Sequence, residues 1–379
     1  MDECGRFNPL LEEKNGLIFQ GILHALAQYK IPELLWIKQI DFCIFTLMDR
    51  RKFIKSSALI GAVPTLTSFH LSTEVIKPAA LKPGASIGVI TPSGALKRTD
   101  YEMLMENFHM LGYQIIHTDN LRVQNGFLAG TDAQKIEDLH HMYENPEVSA
   151  ILCARGGYGA TRLLEKIDYS LISTNCKPLI GYSDITALHL AIYKKCGIVG
   201  FHGPVGISTF NPFSIQHFNA VIQKGNKNKI KIDDPLIITP GVATGKLIGG
   251  NLSLLISMIG TDHEIDWADH IVFIEEVGES TYRIDRMLTQ LRAAQKFKGI
   301  KGIVLGHFTR CDAQPGDPYY EFSTGLSEVF KDRLGDLGIP VMGGFPFGHE
   351  DNNATLPIGI RATMDTKKRV LKLLESAVS

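Results

Sequence analysis

Ser183 stands in Leu179-Ile180-Gly181-Tyr182-Ser183-Asp184-Ile185, an apolar run that turns through a glycine into a helical stretch. A serine at a strand-to-helix turn has its hydroxyl pushed out at the carboxyl edge of a sheet. The next N–H, that of Asp184, lies at a helix N-terminus and can stabilise an oxyanion. This is the logic of a nucleophile elbow, although G-Y-S-D lacks the last glycine of G-x-S-x-G. A serine at such a turn more commonly caps the helix. A second glycine-rich stretch, Arg155-Gly156-Gly157-Tyr158-Gly159, follows the apolar run 148–153. Its glycines let backbone N–H groups approach a ligand, but neither dinucleotide nor P-loop spacing fits. It reads as the second half of an oxyanion hole or as a tight turn.

A serine nucleophile needs a base, and the base needs an orienting acid. Of 13 histidines, His349 lies in the Gly/Pro loop Gly343-Gly344-Phe345-Pro346-Phe347-Gly348-His349-Glu350, and His202 ends a strand in Phe201-His202-Gly203-Pro204. A lone loop histidine is usually a surface residue. Glu275 and Glu276 end the strongly apolar Ile271-Val272-Phe273-Ile274. Carboxylates there sit at a sheet edge, where ligands bind, or merely face solvent.

The elements that must position these groups can be read from length and pattern. One core rarely grows past roughly 250–300 residues, so 379 residues imply two domains. With 44% hydrophobic and 21% charged residues, the chain is not mainly disordered, collagenous or coiled-coil. Lys plus Arg is 39 and Asp plus Glu is 40, a balance that argues against nucleic-acid binding by bulk charge. Six cysteines with no CxxC, and no HExxH, give neither a disulfide scaffold nor a common zinc signature. No metal or organic cofactor is expected.

Strands are expected at 86–91, 114–117, 148–153, 178–181 and 198–201. Helices are expected at 100–111 (capped by Thr99 or Asp100), 133–143, 160–166 and 184–195. This alternation means a parallel sheet with helices on both faces. Residues 207–240, rich in Asn, Lys, Pro and Phe, read as a connector plus a strand pair (229–232 and 236–239). A second unit begins near Gly245. It has a Gly-Gly-Asn turn at 249–251, strands at 270–275, 302–305 and 340–342, helices at 282–294 and 324–333, and terminal strands at 354–360, 361–365 and 369–374.

Residues 1–80 read differently. Met48-Asp49-Arg50-Arg51-Lys52-Phe53-Ile54-Lys55 precedes the weakly apolar run 58–67, the order of a twin-arginine export segment. The alternative is a basic helix start. The apolar run is too short to span a bilayer, which needs about 20 residues, so no permanent membrane anchor is expected. The expectation is a true start at Met48, with 1–47 a non-native upstream extension, 48–80 a signal segment cleaved somewhere in 68–80, and a periplasmic mature protein. Without that export segment the location would be cytoplasmic.

The ordered series strand–RGGYG, LIGYSDIT, FHGPV, GGNLSLL, VFIEEVGESTYRIDRMLTQL and FPFGH resembles the LD-carboxypeptidase family of serine peptidases over about residues 82–379. That family includes murein tetrapeptide carboxypeptidases and microcin C immunity peptidases. The resemblance implies an α/β fold: a flavodoxin-like parallel-sheet domain (81–206), the connector 207–240, and a smaller C-terminal β-rich, barrel-like, swivelling domain (241–379). It implies Ser183 as nucleophile, His349 as base and Glu275 as acid, with Gly157 and Asp184 N–H groups as oxyanion donors. Adjacent strand residues point to opposite faces, so Glu276 is the competing acid. Arg155, Tyr158 and Asn251 are weaker substrate-binding candidates. His202 is expected to be structural or at a pocket rim, and Arg283, Asp285 and Arg286 to brace a helix. The implied substrate is a murein peptide losing its terminal D-alanine, and the implied assembly a homodimer. An aminoacyl-nucleotide conjugate is the alternative substrate, but Trp267, the one Trp of the second domain, lies outside an obvious binding loop. A periplasmic small-ligand binding module and an ordinary α/β-hydrolase are the rivals from other classes. Cys153, Cys176, Cys196 and Cys311 could pair in an oxidising compartment.

Overall fold

The computed structural model describes residues 75–225, 227–316 and 320–379, all within one compact unit, Ser72–Ser379. The extension at 1–47 and the twin-arginine residues lie outside the described residues. The last part of the expected signal segment does not. The Ile76 N–H donates to Gly197 O and its carbonyl accepts from Val199 N–H, while Ala80 N–H donates to Ser379 O and Ser379 N–H to Pro78 O. The fold therefore takes in chain before residue 81, the boundary expected from sequence.

Five short parallel strands form most of the six-stranded first sheet: β1 (Ser86–Ile90), β2 (Gln114–Ile116), β3 (Ala150–Cys153), β4 (Leu179–Gly181) and β5 (Phe201–His202). They are parallel in the order β2-β1-β3-β4-β5, the flavodoxin order. β3 and β4 are buried throughout, as a parallel sheet covered on both faces requires. Helices α1 (Arg98–Leu111), α2 (Asp132–Glu144), α3 (Tyr169–Thr174) and α4 (Thr186–Cys196) connect or flank them. α1 starts before the expected caps, with Asp100 accepting the Lys97 N–H at 3.1 Å. The helix expected at 160–166 is 3-10 in form.

Within 207–240 the chain forms α5 (Pro212–Phe218), where sequence reading had only a connector. Beyond it come β6 (Lys229–Lys231), β7 (Leu236–Thr239), β8 (Val242–Asn251), α6 (Leu252–Ser257), β9 (His270–Val277), α7 (Thr281–Ala293), β10 (Gly302–Thr309), α8 (Leu326–Leu334), β11 (Val341–Gly343), β12 (Leu356–Pro357), β13 (Arg361–Asp365) and β14 (Val370–Leu373). The second sheet runs β6-β14-β13-β8-β9-β10-β11-β7, with a parallel centre from β8 to β11 and antiparallel flanks.

Three expectations are corrected here. β6 and β7 are not a pair: they occupy opposite edges of this sheet. Their link, from Lys231 to Leu236, can reach at most roughly 18 Å. Eight flat strands would separate their edges by roughly 34 Å, so the sheet must curl until the edges approach, which is its barrel-like character. The Gly249-Gly250-Asn251 run is not a turn but the end of β8, paired with β9 through Asn251 and Glu275. The strand expected at 354–360 shrinks to β12, which crosses to the first sheet and pairs antiparallel with β5. The two sheets are thus stitched by the C-terminal chain as well as by the connector.

Candidate active site

In a doubly wound sheet, ligands meet the loops beyond the carboxyl ends of the strands where the strand order reverses. Here that point lies between β1 and β3. The loop after β1 carries Ser93 and Gly94, the loop after β3 carries Arg155–Gly159, and the turn after the neighbouring β4 carries Ser183.

Ser183 has φ +66°, left-handed backbone that costs a non-glycine residue roughly 1–2 kcal/mol. Such strain persists where surrounding structure enforces it, most often at functional sites. The simple capping role is excluded, since the Ser183 hydroxyl makes no helix-cap bond. It lies 3.1 Å from His349 Nε2. On the other ring edge, His349 Nδ1 lies 2.7 Å from Glu275 Oε2. A carboxylate accepts only, so Nδ1 carries the proton and Nε2 is left to accept from Ser183.

Each partner comes from a different element. Ser183 follows β4, Glu275 lies near the end of β9, and His349 follows β11. Gly348 lets the His349 loop reach Glu275. Its φ is +112°, and a Cβ there would stand 3.0 Å from both Glu275 Cβ and Oε2. Tyr182 packs on the other side of the imidazole, ring centroids 4.7 Å apart.

The two glutamates are both buried, contrary to the solvent-facing alternative. Glu275 faces His349. Burial raises its pKa, partly offset by the bond and charge of His349. Glu276 points the other way, accepting from Asn251 Nδ2 (2.8 Å), Ser253 N (2.8 Å) and Ser253 Oγ (2.7 Å). Asn251 therefore has a different place from the one expected. It is 3% exposed, its amide committed to Glu276 and to capping α6, so it positions carboxylate and helix rather than offering a free face to substrate.

The N–H groups of Gly157 and Asp184 donate to no protein group among the described residues. Gly156, just before Gly157, presses on the nucleophile: a Cβ there would fall 2.9 Å from Ser183 Cβ and 3.1 Å from Oγ. Sequence reading missed what the Asp184 side chain does. Asp184 Oδ2 accepts from Ser93 Oγ at 2.6 Å and from the Ala160 N–H at 2.8 Å. One buried oxygen thus ties the loops after β1 and β3 to the turn after β4. Burial raises the pKa of this carboxyl, and those bonds pull it back. The serine–aspartate juxtaposition was visible in sequence, but Ser93 and Ala160 are 91 and 24 residues away. Asp184→Ala orphans two buried donors, and urea unfolding should show a net loss of about 2 kcal/mol. An unchanged midpoint would sink this role.

The other candidates fall outside the proton path. His202 is fully buried, enclosed by Tyr182, Phe273 and Phe347. Burial holds its pKa well below the usual imidazole value, so it is a neutral core residue and not a pocket rim. Arg283 pairs with Glu279 and Asp285 with Arg333, the latter bracing α7 against α8; Arg286 lies over the Tyr282 ring. Trp267 is buried against Phe297. Cys153, Cys176, Cys196 and Cys311 are free thiols, and burial pushes the pKa of Cys176 and of Cys311 up to about 11. Arg155 and Tyr158 do face a cleft, a cavity of about 430 Å³ that also touches Gly94, Lys97, Phe127 and Gly157. None of the described helices is long and apolar enough to cross a membrane.

A serine, a histidine and a glutamate in hydrogen-bonded line, at the carboxyl edges of two joined sheets, define a hydrolase-like site. Comparison with known proteins agrees with that class. Residues 87–203 match the LD-carboxypeptidase N-terminal domain and residues 244–364 the LD-carboxypeptidase C-terminal domain. The chain is 37% identical over 309 residues to the probable murein peptide carboxypeptidase of Bacillus subtilis, covering 80% of this chain and 95% of that one. The structure of muramoyltetrapeptide carboxypeptidase from Oxalobacter formigenes superposes with a TM-score of 0.67 at 30% identity, covering 76% of this chain and 98% of that one. An MccF-like protein from Bacillus anthracis gives a TM-score of 0.70 at 29% identity, covering 79% and 100%. The chain belongs to the LD-carboxypeptidase family.

Proposed function

We propose that this protein is a serine carboxypeptidase that releases terminal D-alanine from a murein tetrapeptide. The observation that carries the reading is the bonded line Ser183–His349–Glu275, with Ser183 held at positive φ. Ser183 Oγ attacks the scissile carbonyl carbon while His349 Nε2 takes its proton. The tetrahedral oxyanion is held by the Gly157 and Asp184 N–H groups. Glu275 keeps Nδ1 protonated and offsets the imidazolium charge. The C–N bond then breaks, His349 protonates the departing amine of D-alanine, and an acyl-enzyme remains on Ser183. Water, deprotonated by His349, releases the shortened peptide and restores the serine.

The preserved likeness to murein carboxypeptidases supports this substrate class. A wall peptide also suits an exported enzyme, and the Arg50-Arg51 segment supports periplasmic delivery. The likeness to an MccF-like protein supports a second reading, an aminoacyl-nucleotide conjugate as substrate. Burial of Trp267 removes one aromatic shelf such a base would use, which favours the peptide.

The test is direct. Purified protein is mixed with murein tetrapeptide, and free D-alanine is followed by mass spectrometry. Release is expected. No release, together with cleavage of an aminoacyl-sulfamoyl nucleoside, would replace the murein reading with the second one.

A further inference from the structure

We propose that Arg155, with Lys97 at the cleft mouth, reads the free carboxylate at the C-terminus of the peptide. This rests on the carboxypeptidase reading above. An enzyme that removes only a terminal residue must sense the anion one residue beyond the scissile bond. With the scissile carbonyl at Ser183 Oγ, that carboxylate lies within roughly 4–6 Å of it.

The 430 Å³ cleft adjoins the nucleophile through the glycine loop. It reaches Gly157, the neighbour of Gly156, which itself abuts Ser183. Its lining carries two cations, Arg155 and Lys97; Asp100, bonded to Arg155 Nη1 at 3.0 Å, offsets one of them, which leaves the cleft net positive. Another cavity, about 930 Å³, is of opposite sign among the described residues: Asp285, Asp312, Glu328 and Asp332 line it with Arg310, and Arg333 pairs with Asp285 and Asp332. A carboxylate is drawn to the first and repelled by the second.

Arg155 is set for this task. Nη1 donates to Ala95 O at 2.9 Å and to Asp100 Oδ2 at 3.0 Å, which fixes the guanidinium plane. The other edge, Nε and Nη2, makes no hydrogen bond among the described residues, and Nε is buried without a partner. That edge is the one that takes a carboxylate with two parallel N–H···O bonds. Phe127 and Tyr158, ring centroids 5.7 Å apart, wall the same cleft.

The plain alternative is that Arg155 only braces α1 through Asp100. Binding to the inactive Ser183→Ala chain separates the two without any turnover. Calorimetry compares Nα-acetyl-L-lysyl-D-alanine with its C-terminal amide. The free acid should bind roughly tenfold to a hundredfold tighter. Adding Arg155→Gln should bring the two ligands to roughly equal affinity, whereas adding Asp100→Asn should preserve the preference. Equal binding of acid and amide to the Ser183→Ala chain would overturn the proposal, as would no binding of either. So would a preference that survives Arg155→Gln, or one lost equally in Asp100→Asn. D-alanine release by the unmodified chain is scored separately and bears only on the peptidase reading.

Discussion

Ser183→Ala is expected to lower the rate of D-alanine release by roughly 10⁴- to 10⁶-fold. The variant loses the only atom in the site placed to attack. Its hydroxyl is 3.1 Å from the His349 nitrogen that would take the proton, and the two N–H donors beside it are unspent. Those donors and the cleft remain in the variant, so a residual rate above the uncatalysed one should persist. Because serine and histidine act as a unit, the double variant Ser183→Ala/His349→Ala should be hardly slower than either single one. The check is product formation by mass spectrometry beside a circular-dichroism comparison of the folds. Release within tenfold of the unmodified protein would remove Ser183 from the chemistry.

The second large effect is expected at Glu275. Glu275→Gln should slow release by roughly 10³- to 10⁴-fold. The glutamine amide can present an N–H to Nδ1, which favours the tautomer with its proton on Nε2. That nitrogen then cannot accept from Ser183. Stability should move the other way. Glu275 is fully buried, and burial raises its pKa above the ordinary 4.5. A carboxyl raised in this way contributes its full stability below pH 4.5 and loses it as pH rises through the higher folded-state value. At neutral pH the protein holds a buried charge that glutamine would remove. Urea unfolding at pH 7.5 should find Glu275→Gln at least as stable as the unmodified protein, with that difference shifting in favour of the unmodified protein at pH 4. A variant that is inactive because it is unfolded at pH 7.5 would contradict this account.

Activity and stability thus separate at one residue. A carboxylate aimed at an imidazole in a closed core orients the base, and the cost is desolvation. Asp184 shows the same trade on a smaller scale. Its carboxyl is buried and its pKa raised, yet it joins three loops that have no other common partner among the bonds of the site.

Much of this was legible in the chain itself. Apolar runs of four to six residues alternating with helical periods specified a parallel sheet, because a strand covered on both faces reads as continuous apolar sequence. Glycine before Ser183 and before His349 marked backbone that must turn or approach closely, and the ordered motifs identified the family. What local sequence could not decide was set by contacts between distant residues. The choice between Glu275 and Glu276 depended on which face of β9 the His349 loop covers, 74 residues later. The edges occupied by β6 and β7 depended on the curl of a whole sheet, and the crossing of β12 to the first sheet on a pairing with β5. Asn251 looked free because a Gly-Gly turn was read there. Tertiary packing made it the end of a strand, with its amide on Glu276. Periodicity reports which residues are buried. It carries no record of which buried group faces which, because that depends on chain segments brought together only by folding.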